Sequence, residues 1–391
     1  MASRPVPFAH VALALGVLLV GGRARPASAG EPSPRGYQGP GEVAADVALE
    51  AVPEVVPQHA PSENAPSEAA PEVPPEQPPV EIPADTAPAR LSEPQVWMPR
   101  HRFIYRNFTA GRVNPLGLVN ETTLGYRRQL VARNSPLFLD SFALAAGHAY
   151  VTPAFVRVGP TVEFQPLAAL NLGVTYDFVG AFGNLGQIQS FASPTDRAGP
   201  DEFSDNNDAG RHYATWGHLV TLSALLQAKV KRIVLRTSTK AYWSDMRLRN
   251  GDRVYYDQSL DIVVPDGGWS IINETDFIYL FDKGLRLLAR HSLTHAFYER
   301  RHFVPGEPVS QPNGPTSRLG PAVAFTFFDR PGVRFNKPTV FLLSQWWLRH
   351  RWRTGEQVSA GIPYAAVGFA FEGDLVPYRK DLARKPRRRS R

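Results

Sequence analysis

Leu170-Asn171-Leu172-Gly173-Val174-Thr175-Tyr176-Asp177-Phe178 alternates apolar and polar residues without a break. Strand side chains point to opposite faces with period two, so Leu170, Leu172, Val174, Tyr176 and Phe178 share one oily face. Asn171, Gly173, Thr175 and Asp177 share the other. Similar stretches recur through residues 119–373, and no helical periodicity competes with them. An oily face and a wet face, repeated this often, predict a closed antiparallel barrel with lipid outside and water or polar packing inside.

Working outward from that stretch, we read about twelve strands, with ten to fourteen as the range. They lie near His101–Thr109, Val119–Val131, Leu137–Tyr150, Phe155–Gln165, Ala168–Phe182, Tyr213–Lys229, Arg232–Met246, Trp269–Phe281, Leu285–Tyr298, Arg318–Phe328, Lys337–Arg349 and Ile362–Phe371. The first is poorly patterned. Each is long enough to cross a bilayer as a tilted strand, which takes roughly 9–11 residues. From about residue 165, short turns such as Val230-Lys231 and Asp282-Lys283-Gly284 alternate with long polar connections such as Phe182–His212 and Arg247–Gly268. Short turns on one side and long loops on the other are the habit of transmembrane barrels. Arg253–Val264 reads either as an additional hairpin in a long loop or as a miscounted strand pair.

The flanks read as export and tether. Arg4, the apolar run Val11–Val20 and the small-residue site Ala27-Ser28-Ala29 form a signal peptide over residues 1–29. Its apolar run is too short for a membrane span. Residues 30–95, as in Pro71-Glu72-Val73-Pro74-Pro75-Glu76, are an extended periplasmic linker dominated by proline, alanine and glutamate. Residues 96–374 are the barrel, and residues 375–391 are a disordered basic tail. Eight Arg and Lys residues against Asp381 give that tail +7, which equals the net charge of the whole chain. The basic character therefore belongs to the tail, and nothing pairs it with a nucleic-acid recognition element. There is no cysteine, so no disulfide supports the fold.

Charge falls on the inward faces. The expected lumen residues are Arg127, Arg157, Glu163, Asp177, Arg236, Lys240, Glu274, Asp276, Arg286, Arg290 and Arg349, together with Glu121 and Arg351. A midplane arginine or lysine facing lipid costs roughly 2–4 kcal/mol, so such groups belong inside or near an interface. Eight basic against five acidic positions leave two readings: a paired network filling a narrow barrel, or a water-filled passage with a modest preference for anions. Aromatics near strand ends, including Phe164, Phe178, Trp216, Trp243, Trp269 and Phe371, predict interfacial girdles.

Chemistry is harder to find. His291 and His295 are four residues apart on one strand, hence ~13 Å apart, and cannot share an ion. Asp201–Asp208 is acidic enough for calcium but lacks the EF-hand spacing and reads as a solvated loop. A serine hydrolase needs a serine, a histidine and an orienting polar group together. The His-x-Ser-Asn-Gly motif of outer-membrane phospholipases is not matched by His291-Ser292 and the separate Asn313-Gly314. No cofactor, metal or catalytic residue is assigned.

With its signal peptide, alternating strands, loop asymmetry and the segments Asn114-Pro115-Leu116-Gly117 and Phe164-Gln165-Pro166-Leu167, the chain resembles Gram-negative outer-membrane β-barrel proteins of porin-like type. The resemblance implies an outer-membrane location with linker and tail in the periplasm. It also implies outer-membrane lipids and the barrel-assembly machinery as partners. One departure is that the aromatic terminal signal, Val367-Gly368-Phe369-Ala370-Phe371, is internal. The expected function is a passive or weakly anion-preferring channel for small solutes, in a monomer that binds no nucleic acid. The alternatives are a lipid-processing barrel enzyme and a secreted soluble β-sandwich.

Overall fold

The computed structural model describes residues 99–131, 137–138, 141–182 and 188–378. The expected signal peptide, linker and basic tail from residue 379 lie outside these described residues. Fifteen strands and one α-helix follow in order: β1 His101–Val113, β2 Gly117–Gln129, β3 Phe142–Val151, β4 Phe155–Leu167, β5 Leu170–Ala181, β6 Ser190–Phe191, α1 Pro200–Asp208, β7 Thr215–Val230, β8 Ile233–Met246, β9 Val254–Asp257, β10 Ile262–Pro265, β11 Gly268–Leu280, β12 Leu285–Phe297, β13 Thr316–Thr326, β14 Asn336–Arg349 and β15 Tyr364–Asp374. Twelve of them close one antiparallel ring, β1-β15-β14-β13-β12-β11-β8-β7-β5-β4-β3-β2. Each of the twelve segments read from the sequence is a wall strand. β9 and β10 form the extra hairpin, which pairs with β6 in a small separate sheet.

Ring closure depends on β1, the strand that the alternation rule reads worst. It pairs with β2 from His101↔Arg128 to Arg112↔Gly117, and with β15 from Ile104↔Asp374 to Val113↔Ala365. Its inward face is partly apolar, with Ile104, Phe108 and Ala110 buried. Its outward face carries Asn107 and Thr109. The usual pattern is therefore partly inverted, which is why the sequence signal is weak there.

Elsewhere the outside is oily. On β5, Leu172, Val174, Tyr176 and Phe178 are exposed by 42–51%, whereas Asp177 is only 2% exposed. A soluble sandwich would bury the first set and hydrate the second, because large contiguous apolar patches are rare on soluble proteins. Aromatic rings gather at both rims. Phe178 and Trp216 stack at 5.8 Å at one end, and Tyr279 and Phe281 meet at 4.8 Å at the other. Among the described residues no helix is long and apolar enough to cross a membrane, which says nothing of a β-barrel.

The end of the ring away from residues 99 and 378 carries the segments 188–214, 247–267, 298–315 and 350–363, and these fold together as a cap. Their apolar residues, including Ile262, Val263, Val264, Tyr298, Phe303 and Trp352, are buried in one cluster with Leu219, Ile272 and Ala296 of the wall. The acidic segment Asp201–Asp208, read as a solvated loop, lies wholly within helix α1. Its proline lies in the first turn, and the Glu202 carboxylate accepts a bond from the Gly199 amide at 3.1 Å. Carboxylates near a helix N-terminus favour that turn.

Close strand packing leaves no room for a side chain at several glycines, and Gly159 is the tightest. A Cβ on Gly159 would lie 1.7 Å from the Tyr176 carbonyl oxygen, whereas one on Gly147 would meet nothing nearer than 4.0 Å. Gly159→Val is expected to abolish the compact, heat-modifiable species on a gel, and Gly147→Ala to retain it. An unchanged Gly159→Val barrel would show that the β4–β5 spacing is wrong.

Candidate functional site

The interior is built from the inward positions of the twelve wall strands. One sector is apolar: Phe108 stacks on Phe341 at 5.5 Å, and Ile278, Leu288, Ala324, Leu343 and Ala366 pack around them. This filling was not expected from the sequence, which places charge on the inward faces. The remaining interior encloses a cavity of about 290 Å³.

Ion pairs line that cavity. Asp276 is held by two guanidinium groups, with Arg236 Nη2 at 2.6 Å and Arg290 Nε at 2.6 Å. Arg290 also reaches Glu274 at 3.3 Å, and Glu274 accepts from Ser292 Oγ at 3.3 Å. Arg290 and Asp276 are each 1% exposed. The register brings them together, since Asp276 is the cross-strand partner of both Arg236 and Arg290. Across the lumen, Arg106 grips Glu163 with two bonds of 2.9 and 3.0 Å. His148 lies between Asp177 at 3.1 Å and Glu121 at 3.2 Å. Nearer the termini, Lys337 meets Glu372 at 3.0 Å, and Arg102 holds Asp374 at 2.7 and 2.8 Å.

Of the residues expected in the lumen, Arg157, Glu163, Asp177, Arg236, Lys240, Glu274, Asp276 and Arg290 line the cavity, as does Glu121. Arg127 faces inward with its guanidinium over the Phe142 ring at 3.9 Å. Arg286 sits at the inward register position between Leu280 and Ala324, outside the cavity lining. Two placements differ from expectation. Arg349 is exposed at the end of β14 opposite Ser317, because the β13–β14 register shifts between Ser317 and Arg318 and turns it out of the lumen. Arg351 belongs to the cap, donating to the Pro194 carbonyl at 3.1 Å and to Asn313 at 2.6 Å.

Arg106, His148, Lys337 and Glu372 were missed. The phase of Phe103 and Tyr105 on β1 would have placed Arg106 inward. The cavity's formal cations are Arg106, Arg157, Arg236, Lys240, Arg290 and Lys337, and its anions are Glu121, Glu163, Asp177, Glu274, Asp276 and Glu372. The two sets are equal in number, so the basic surplus counted along the sequence does not persist in the lining.

The cap closes the far end. The tip of the β9–β10 hairpin, Gln258 to Asp261, is buried. Arg112 Nη2 donates to the Gln258 carbonyl at 2.9 Å, and Arg157 Nη2 donates to Ser259 Oγ at 2.7 Å. Asp261 receives Arg353 Nε at 2.5 Å, Arg353 Nη2 at 2.9 Å and the Tyr256 hydroxyl at 2.5 Å. Its carbonyl accepts His350 Nε2 at 2.9 Å. Burial alone would raise the Asp261 pKa, but Arg353 outweighs it and holds the carboxyl down at about 2.

No metal-ligand cluster occurs among the described residues. His291 faces outward and bonds Ser317 Oγ at 2.9 Å. Among the described residues no third polar group orients that histidine, so a hydrolase triad is incomplete. Ser292 points inward, and Asn313 is buried in the cap.

A ring closed on itself, apolar outside and polar inside, satisfies its backbone without water, and this is the fold of Gram-negative outer-membrane β-barrels. No protein-family model matches the chain, and no curated protein matches its sequence. Several solved structures superpose weakly. The β-domain of the Bordetella autotransporter BrkA is 12% identical with a TM-score of 0.37, covering 70% of this chain and 99% of that one. An outer-membrane channel from Pseudomonas putida F1 is 9% identical with a TM-score of 0.35, covering 71% and 97%. The translocator domain of the autotransporter NalP from Neisseria meningitidis is 10% identical with a TM-score of 0.34, covering 71% and 90%.

Two outcomes follow from these pairs. Arg290→Met leaves Asp276 and Glu274 short of a buried partner, and breaking such a pair costs about 3–5 kcal/mol. The variant should unfold at clearly lower urea in lipid vesicles; an unchanged midpoint would show the cluster to be hydrated. Asp261 is depressed from 3.8 unfolded to about 2 folded. Its stabilisation, on the order of 2 kcal/mol, is therefore complete above about pH 4 and lost as pH falls through about 2. Protease cutting in the cap should rise over that window, and Asp261→Asn should flatten the response.

Proposed function

We propose that this protein is a gated outer-membrane channel for small polar solutes, with the β9–β10 hairpin as its gate. The observation that carries the reading is the position of the hairpin tip: Ser259 both lines the charged interior cavity and receives Arg157. A polar cavity inside a membrane barrel, ending at a loop rather than at the wall, favours passage once the loop moves. A purely structural barrel has no need of such a cavity.

Selectivity is expected to be weak. The lining carries equal numbers of cationic and anionic side chains, and most are held in pairs. Paired charges leave little net field, so neither anions nor cations gain a large advantage. On this reading the loop-bearing end faces the exterior and both termini face the periplasm, in keeping with the sorting of loops in such barrels.

Planar-bilayer recording tests the proposal. The unmodified protein should conduct in brief, small steps. Replacing Gln258–Asp261 with glycines should give sustained current, several-fold larger on average, with a reversal potential near zero in a salt gradient. If the glycine variant inserts and remains silent, the barrel is sealed and the channel reading is lost. A strong reversal potential would overturn the balanced-field argument alone.

A further inference from the structure

At mid-depth the outer wall is not uniformly apolar. Asn107 is the central residue of β1, and Thr122 is its cross-strand partner on β2; Thr109 and Asn120 pair beside them. The four side chains form an outward hydrogen-bonded ladder. Asn107 Nδ2 donates to Thr122 Oγ1 at 2.8 Å, and Asn120 Nδ2 donates to Thr109 Oγ1 at 2.7 Å. The two amides also bond each other at 3.3 Å. Outward positions at similar depth on β4, β5 and β7, such as Val162, Val174 and Leu222, are apolar and exposed.

From this ladder we infer that the β1–β3 face is a membrane-embedded contact between two copies of this chain. Lipid offers amides and hydroxyls no partner, so a polar cluster at this depth gains by meeting another protein surface. The cluster displays both donors and acceptors and is therefore complementary to itself. A two-fold axis along the membrane normal would set each Asn-Thr pair against its copy. In the middle of the adjoining β3 the outward residues are Ala145, Gly147 and Ala149, cross-strand from Tyr126, Leu124 and Thr122, with Val151 only at its end. Small side chains there allow the two walls to approach closely.

A second polar ladder strengthens the reading by contrast. Asn273 Nδ2 donates to Thr237 at 3.0 Å and to Thr239 at 2.8 Å on the outer face of β8 and β11. The two ladders divide the ring into halves of six strands, so they lie on opposite sides of the barrel. Leu118 and Leu124 flank the first ladder on β2, but β3 beside them is small; around the second, Leu235, Trp243 and Phe277 project outward from both strands, with no such small strand among the pair. The self-contact is therefore assigned to the β1–β3 face, in place of the monomer expected from the sequence.

The absence of cysteine from the chain makes the test clean. Thr122→Cys and Ala149→Cys, each reconstituted in phospholipid vesicles and oxidised, should form disulfide-linked dimers. Val174→Cys on β5 and Thr239→Cys at the second ladder should not. Equal cross-linking at all four positions would mean random collision and overturn the proposal. Cross-linking at Thr239→Cys alone would overturn the assignment to the β1–β3 face. No cross-linking from variants shown by heat-modifiability to be folded would also overturn it. As a measurement independent of the cysteines, the unmodified protein should photobleach in two steps per vesicle spot after labelling. Asn107→Leu/Asn120→Leu should photobleach in one, and single-step bleaching of the unmodified protein would refute the contact.

Discussion

The backbone of a strand in lipid has nowhere to hydrogen-bond except to another strand, and every other feature of this molecule follows from that constraint. β1 and β15 meet over ten residue pairs and remove the last free edges of the wall. Once the ring is closed, alternation has a fixed meaning: one parity faces hydrocarbon and the other faces a shared interior. Charges that the chain carries in its strands then have to collect inside. They are also close enough there to neutralise one another, as Arg236, Arg290 and Asp276 do.

That neutralisation separates architecture from field. Residues read along the strands give a modest basic surplus, eight against five, but the register decides which of them face the same space. A shift between Ser317 and Arg318 moves Arg349 outside, while β1 contributes Arg106 and β14 contributes Lys337. The terminal strand supplies Glu372, which binds Lys337. Counting charges by parity on individual strands cannot anticipate these exchanges, because each depends on which strand lies opposite.

The fold itself was legible because the bilayer writes it locally. Leu170 to Phe178 needs no distant partner to show its two faces, and the long loops sort themselves by length. The interior was legible only in part. Parity alone points Arg157, Glu163, Asp177, Arg236, Glu274, Asp276 and Arg290 inward, and each lines the cavity. The apolar filling around Phe108 and Phe341 was not, since an inward apolar residue looks in sequence like an outward one. The outward ladder on β1 and β2 had the opposite effect: Asn107, Thr109, Asn120 and Thr122 blurred the first strand and marked a surface that differs from the rest of the wall.

The cap shows an asymmetry that bears on how the barrel could open. On the side of β5, β7, β11 and β12, its residues share an apolar cluster with Val179, Leu219, Ile272 and Ala296 of the wall. On the side of β1 and β4 the contacts are polar: Arg112 to Gln258, Arg157 to Ser259, and Arg353 joining Asp261 to Asn114 at 2.9 Å. Apolar packing is non-directional and survives small rotations, whereas hydrogen bonds to a guanidinium weaken steeply when misaligned. These groups are buried, Asp261 being only 1% exposed, so water can replace the bonds only as the tip itself leaves the barrel. The wall cannot yield without breaking its ladder. On the proposed gating, the hairpin swings about its apolar side, and the arginine contacts, which depend on alignment, are the ones that must be released.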